Sequence, residues 1–193
     1  VANQKKLMSV PPTIVICVPC GSTQVERRAI KDSALAAGAR RVEIIEEGMA
    51  AAIGAGLPVE SARASMVVDI GGGTTEVGVI SLGGLVYANS IRVAGDRLDE
   101  VITNHIRSKH GLLIGDATAE EVKKQIGSAH PDADNGEMEI RGRSVYDGLP
   151  KKVTISSSEI RGALNDALEQ MTTAVKQALE LTPPELSADL MDS

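Results

Sequence analysis

The stretch Ser65-Met66-Val67-Val68-Asp69-Ile70-Gly71-Gly72-Gly73-Thr74-Thr75-Glu76-Val77-Gly78-Val79-Ile80-Ser81 constrains this chain more than any other. It reads as an apolar strand ending near an acid, three glycines, two hydroxyls and a second apolar strand. The pattern predicts a β-hairpin whose tip carries almost no side chains. Glycine lacks the Cβ that would hold an anion away, so backbone N–H groups can close on a phosphate. Asp69, at the end of the incoming strand, is placed to hold a metal ion or its waters beside that phosphate. The run is not a Walker A loop, because no Gly-Lys-Ser/Thr follows and a strand stands where the helix would. Nor is it G-x-G-x-x-G. The simpler alternative is a glycine-rich turn without a ligand, using glycine only for positive φ.

Strands and helices alternate on either side. Thr13–Val18 reads as a strand closed by Pro19 and Gly21. Thr23 with Glu26 forms a capping box for a helix whose apolar positions Val25, Ala29, Ile30, Ala34 and Ala37 keep a helical period up to Gly38. Val42–Ile45 is a second strand, and Glu46 to Gly56 a helix of small residues. Pro58 to Arg63 links it to the hairpin. Gly83-Gly84 then turns the chain into a third strand, Leu85–Val93, of an antiparallel meander. A helix follows from Gly95 to about His110, with Leu98, Val101, Ile102 and Ile106 on one face. Thr118, with Glu121, is expected to cap another over Ala119–Ile126. Segment 127–152 is polar, with short strands expected near Glu137–Arg141 and Lys152–Ile155. Ser157 or Ser158 opens a long helix to about Leu181, which Thr182-Pro183-Pro184 ends.

Composition bounds the function. Among 193 residues there is no Phe or Trp, so the core must be built from Val, Ile, Leu, Ala and Met, which suits layered α/β architecture. A net charge of −6 and scattered basic doublets (Lys5-Lys6, Arg27-Arg28, Arg40-Arg41, Lys123-Lys124, Lys151-Lys152) argue against nucleic acid as a partner. No apolar run reaches the ~18 residues of a membrane span and no secretory signal opens the chain, so a soluble cytosolic protein is expected. Cys17 and Cys20 form C-x-x-C. Cys17 falls in a strand instead of at a helix N-terminus, where thiolates are stabilised, so the pair reads as small core residues. The spacing keeps a redox role open.

Glu46-Glu47 precedes the hairpin on a neighbouring element. A glutamate near a bound triphosphate can orient the attacking water. The alternative is an exposed helix start, where acids favour the dipole.

Asp69-Ile70-Gly71-Gly72-Gly73-Thr74-Thr75-Glu76 resembles the second phosphate-binding segment of the actin and sugar-kinase superfamily. Gln24 to Ile30, Ile45 to Pro58, Gly95 to Glu100 and Pro183 to Leu186 resemble the MreB family, the bacterial actin homologues that set rod shape. The similarity runs from about residue 13 to the end. It implies an α/β, actin-like (ribonuclease H-like) ATPase fold. Residues 1–60 would be the C-terminal part of the first subdomain. Residues 61–112 and 156–193 would form the base of the second domain with the phosphate hairpin, and 113–155 a small inserted α+β subdomain.

The resemblance implies an ATP-binding, filament-forming protein at the cytoplasmic face of the membrane, organising cell-wall synthesis. ATP and Mg2+ would be its cofactors. Its partners would be further copies of itself, the cell-wall elongation machinery and a membrane adaptor, with any direct membrane contact made by segments outside this chain. Carried over by position, Gly71, Gly72, Gly73 and Thr74 would hold the β/γ-phosphates and Asp69 would support magnesium through water. Glu47 would align the hydrolytic water with help from Thr74. Glu120, Glu121, Val122 and Lys123 would flank the nucleoside, though a solvated helix face is the simpler reading of those charges.

The departures are specific. Nothing before residue 13 resembles the family's first phosphate hairpin, Asp-x-Gly-Thr, and no glycine-rich adenosine segment follows Leu186. Gly48 stands where Pro is usual, and Ala94 where Gly is. The expectation is a partial chain that alone binds ATP weakly or not at all and shows negligible turnover. Two alternatives remain: a nucleotide-free interaction module, and another actin-superfamily ATPase such as a plasmid-segregation actin, a cell-division actin or a chaperone. The stretch Glu46-Glu47-Gly48-Met49-Ala50-Ala51-Ala52-Ile53-Gly54-Ala55-Gly56 disfavours the last.

Overall fold

The alternating period of Thr13–Val18 builds β1, and Arg41–Glu46 builds β2 parallel to it, in register from Thr13↔Arg41 to Val18↔Glu46. A parallel pair needs a crossover, which α1 (Gln24–Ala36) supplies. This is a computed structural model, and it describes residues 10–191. Lys5-Lys6 and the outermost residues of the ranges 1–60 and 156–193 lie outside the described residues. The capping box at α1 forms as expected: the Glu26 N–H donates to Thr23 Oγ1 at 3.2 Å, and the Thr23 N–H to Glu26 Oε2 at 2.8 Å.

The sequence reading of the cysteines as core residues fails at Cys17. Side chains along a strand alternate faces, and on β1 Val15, 63% exposed, and Cys17 share the uncovered one. Cys20 is half-buried. Burial, then the neighbouring Glu76 carboxylate, pushes its thiol up to about 11, so it stays protonated and a poor nucleophile.

Helix α2 (Glu47–Gly54) leads into an antiparallel meander of β3 (Ser65–Ile70), β4 (Thr75–Ser81) and β5 (Gly84–Ile91). Every residue of the central strand β4 is buried. Helix α3 (Gly95–His110) follows and ends on Gly111, whose φ of +61° is left-handed. Then come β6 (Leu112–Leu113), α4 (Asp116–Ile126), β7 (Glu137–Ser144), β8 (Pro150–Ser156), α5 (Ser157–Leu181) and α6 (Pro184–Leu190). Strands β6, β7 and β8 form a third sheet, antiparallel throughout.

One cap differs from expectation. α4 starts at Asp116, so Thr118 sits inside its first turn, and the Glu121 side chain accepts from Gln125 instead of turning back to a cap. α5 starts at Ser157, within the expected choice, and Ser156 caps it by accepting a 3.3 Å bond from the Glu159 N–H. Pro183-Pro184 does end α5, yet Pro184 opens α6, since a proline in the first helical turn loses no bond.

The larger apolar core joins Ile102 and Ile106 of α3, Val122 and Ile126 of α4, Ile140 and Ile155 of the third sheet, and Ile160 and Leu164 of α5. A smaller one sets Ala174 and Ala178, at the far end of α5, against Val77 of β4. The meander is thereby covered by α5 on one face and α2 on the other.

Candidate functional site

The hairpin tip is closed by the Gly71 N–H donating to the Thr74 carbonyl at 2.9 Å. Among the described residues no backbone carbonyl takes the amides of Gly72, Gly73 or Thr74. None of Gly71, Gly72 and Gly73 has a positive φ. The simpler reading, that the turn needs glycine for its backbone angles, therefore loses its basis. Close approach is what remains: to Asp96 behind Gly72, to the Thr74 carbonyl beside Gly71, and, at Gly73, to the open space before the tip. A Cβ on Gly73 would meet nothing within 4 Å, so that face of the tip is open.

The back of the tip is fixed by α3. The Gly95 N–H donates to Gly71 O at 3.0 Å and the Asp96 N–H to Gly72 O at 2.8 Å. A Cβ on Gly72 would lie 3.2 Å from Asp96 Oδ1. Thr75, fully buried, anchors the outgoing strand by donating its hydroxyl to Val93 O at 2.7 Å. Thr74 is half-buried at the mouth.

The register of the hairpin places the acids. Val67 and Asp69 share one face of β3, and they oppose Gly78 and Glu76 of β4. A Cβ on Gly48 would lie 3.8 Å from Val67 Cγ1, so the first turn of α2 rests on that same face. Glu47, beside Gly48, is thereby set over the end that carries Asp69 and Glu76. Burial first, then the charges of Glu76 and Asp69, raises its pKa above the usual carboxylate value. Its neighbour Glu46 does the opposite. It pairs with Arg27 at 2.8 Å, and the Arg27 hydrogen bond holds its carboxyl below the usual value.

Glu76 escaped sequence reasoning. It is 2% exposed, accepts from the Cys20 N–H at 3.1 Å through Oε2, and has no described partner at Oε1. Its signal was an acid opening a strand whose other large residues, Val77, Val79 and Ile80, are apolar.

The segment 120–123 divides. Glu120 is exposed and pairs with Lys124 at 2.6 Å, and Glu121 is exposed and bonded to Gln125. Val122 is fully buried in the larger core. Lys123 alone turns toward the hairpin: its Nζ donates to Asp99 Oδ2 at 2.8 Å and to Gly95 O at 3.1 Å. Among the described residues no three His, Cys, Asp or Glu side chains converge as metal ligands.

The family model for the MreB/Mbl protein matches residues 1–193. The cell shape-determining protein MreB of Escherichia coli (strain K12) is 55% identical over 190 residues, covering 98% of this chain and 55% of the relative. Mbl of Bacillus subtilis (strain 168) is 46% identical over 190 residues, covering 98% and 57%. MreB 5 of Spiroplasma citri, solved bound to AMPPNP, superposes with a TM-score of 0.89 at 42% identity, over 96% of this chain and 56% of that one. The MamK double helical filament, at 19% identity and a TM-score of 0.75, over 93% and 53%, shows the fold alone. This chain thus spans about half the length of the relatives it matches. The fold is actin-like, as expected from the sequence, and the chain belongs to the MreB/Mbl family.

Proposed function

We propose that this chain carries the second phosphate clamp of an actin-like, filament-forming ATPase that maintains rod shape. The observation that carries the reading is the set of free amides at Gly72, Gly73 and Thr74, on glycines whose backbone angles do not require glycine. Three N–H donors at an open tip suit the oxygens of a β/γ-phosphate. The identity with MreB and Mbl, and the nucleotide named with the S. citri structure, support ATP as the ligand.

Magnesium, when bound, would neutralise charge on the phosphates. Asp69 would support it through water, which fits an acid that lies at the hairpin but within no ligand cluster. Glu47, set over that end with a raised pKa, is the group that would accept a proton from the attacking water, and Thr74 would help to align that water. Glu120 and Glu121 would flank the nucleoside from the exposed face of α4, with Lys123 behind them, released from Asp99 when a ligand competes for it. The relatives are named for determining cell shape, and we propose that filaments of the intact protein do so by organising the cell-wall elongation machinery at the inner face of the membrane through an adaptor. Among the described residues no helix is long and apolar enough to cross a membrane.

Three backbone amides at one wall of a cleft point to weak binding by this chain, with Kd on the order of 1 mM. Titration of the 15N-labelled chain with Mg-ATP should move the Gly72, Gly73 and Thr74 amide resonances. Adenosine should not. Unmoved tip amides at saturating Mg-ATP would refute the clamp.

A further inference from the structure

The carboxylates of Asp69, Glu47 and Glu76 share one end of the meander at the start of α2, where the donors given to them are the Cys20 N–H and the Cys20 thiol beside Glu76, neither of which meets Oε1 with hydrogen-bond geometry. Asp69 and Glu76 are a register pair, and α2 rests on their face. Oxygens of this kind can only accept, yet Glu76 Oε1 is buried and receives nothing from any described residue. A buried acceptor left empty is costly, and in native proteins an ordered water most often fills the role. A water has two O–H donors, enough to join two carboxylates. Arg27 is committed to Glu46 and Lys123 to Asp99.

Resting on the nucleotide reading above, we propose that Glu76 is a positioning residue of the hydrolytic site: its Oε1 holds an ordered water that fixes the Glu47 carboxylate. Glu76 suits the role because its other oxygen is pinned. The Cys20 N–H holds Oε2 at 3.1 Å, so the carboxylate is fixed from the turn that follows β1. Glu47 has no such anchor, since no described residue is bonded to its carboxylate, and its orientation must come from elsewhere. The charge of Glu76 also bears on Glu47, consistent with the closeness that the shared water requires.

Glu76→Gln separates this role from simple packing. The amide oxygen can still take the Cys20 N–H, while an NH2 replaces the acceptor at Oε1. A crystal structure of the wild-type chain is expected to show a water within hydrogen-bond distance of both Glu76 Oε1 and Glu47. In Glu76→Gln the water should be lost and Glu47 should take more than one rotamer, with the thermal midpoint no lower than that of the wild type. In steady-state ATP hydrolysis by the full-length protein that carries this segment, kcat should fall at least tenfold with KM unchanged. A wild-type structure with no water at that point, or a variant whose kcat stays within twofold, overturns the proposal. The wild-type crystallographic arm needs neither nucleotide nor a folded variant. A chain that ignores Mg-ATP would therefore strike the nucleotide reading and leave this test standing.

Discussion

Glu46 and Glu47 are chemically identical neighbours sent to opposite fates by one change of direction. Glu46 closes β2 and points to Arg27, whereas Glu47 opens α2 and faces two acids. Because folding raises the Glu47 pKa, the folded chain binds more protons there than the unfolded chain does. Stability from this site therefore falls as pH climbs from the ordinary 4.5 through the raised value. Glu47→Gln should accordingly increase resistance to urea at neutral pH, with the gain vanishing below 4.5. In the full-length protein the same variant should lose about 100-fold or more in ATP turnover, the usual contribution of a general base. Equal urea midpoints at neutral pH would show that the acids do not oppose one another. The glycines separate in the same way. Gly73→Ala meets open space and strains no angle, so the fold should be indifferent while affinity for Mg-ATP drops tenfold or more, read from the tip-amide titration. Gly72→Ala must push Asp96 aside and should disturb α3 as well. The tip was legible because three glycines and two hydroxyls are a local signal. Glu76 was not, because its burial depends on Cys20, 56 residues away in the chain.

At the scale of elements, α2 begins poorly. Glu46 makes no side-chain cap, and Gly48 occupies the first turn at full entropic cost. A Cβ there would reach Val67 Cγ1 at 3.8 Å, an ordinary contact. Gly48→Ala should therefore stabilise the chain by about 0.5–1 kcal/mol in chemical denaturation. A loss of that size would mean that α2 must sit closer to β3 than the backbone shows. The junction of α3 with α5 is built differently. Glu159 at the start of α5 receives His110 at 2.7 Å, His105 at 2.9 Å and the more exposed Lys109 at 3.2 Å. Burial pushes the Glu159 carboxyl up, but the three bonds outweigh it and hold it at about 2. A depressed carboxylate contributes stability above its ordinary value of 4.5 and loses it as pH falls through about 2. Glu159→Gln should cost about 1.5–3 kcal/mol at neutral pH, the range for hydrogen bonds to a charged group, and nothing below pH 2. A cost unchanged at the acid end would point to packing alone. The sequence pattern gave α3 and α5 through their apolar stripes. It missed β6 because two residues carry no period, and it displaced the start of α4 because Gly115 caps without a side chain.

Over the whole molecule, burial is unevenly shared. α5 runs 25 residues and joins both cores, from Ile160 and Leu164 at one end to Ala174 and Ala178 at the other. The β1–α1–β2 unit has no comparable interior: α1 buries no residue, and the two strands contribute only Val18 and Val42. What joins it to the meander is narrow. α2 touches β1 and β2 on one side and β3, β4 and β5 on the other, and the Cys20–Glu76 bond adds one polar link. Local opening follows buried apolar contact, so the first unit should open without the rest. In native-state hydrogen exchange, the amides of α1, β1 and β2 should exchange at least a hundredfold faster than those of β4 and the middle of α5. That ratio corresponds to an opening about 2.7 kcal/mol cheaper. The expected order places the Cys20 anchor on the side that opens and the hairpin on the side that holds. Opening would then free Glu76 Oε2 while the tip amides of Gly72 to Thr74 stay in place. Equal protection across β1, β4 and α5 would instead show a single cooperative unit, and α2 would be a rigid strut between the two sheets.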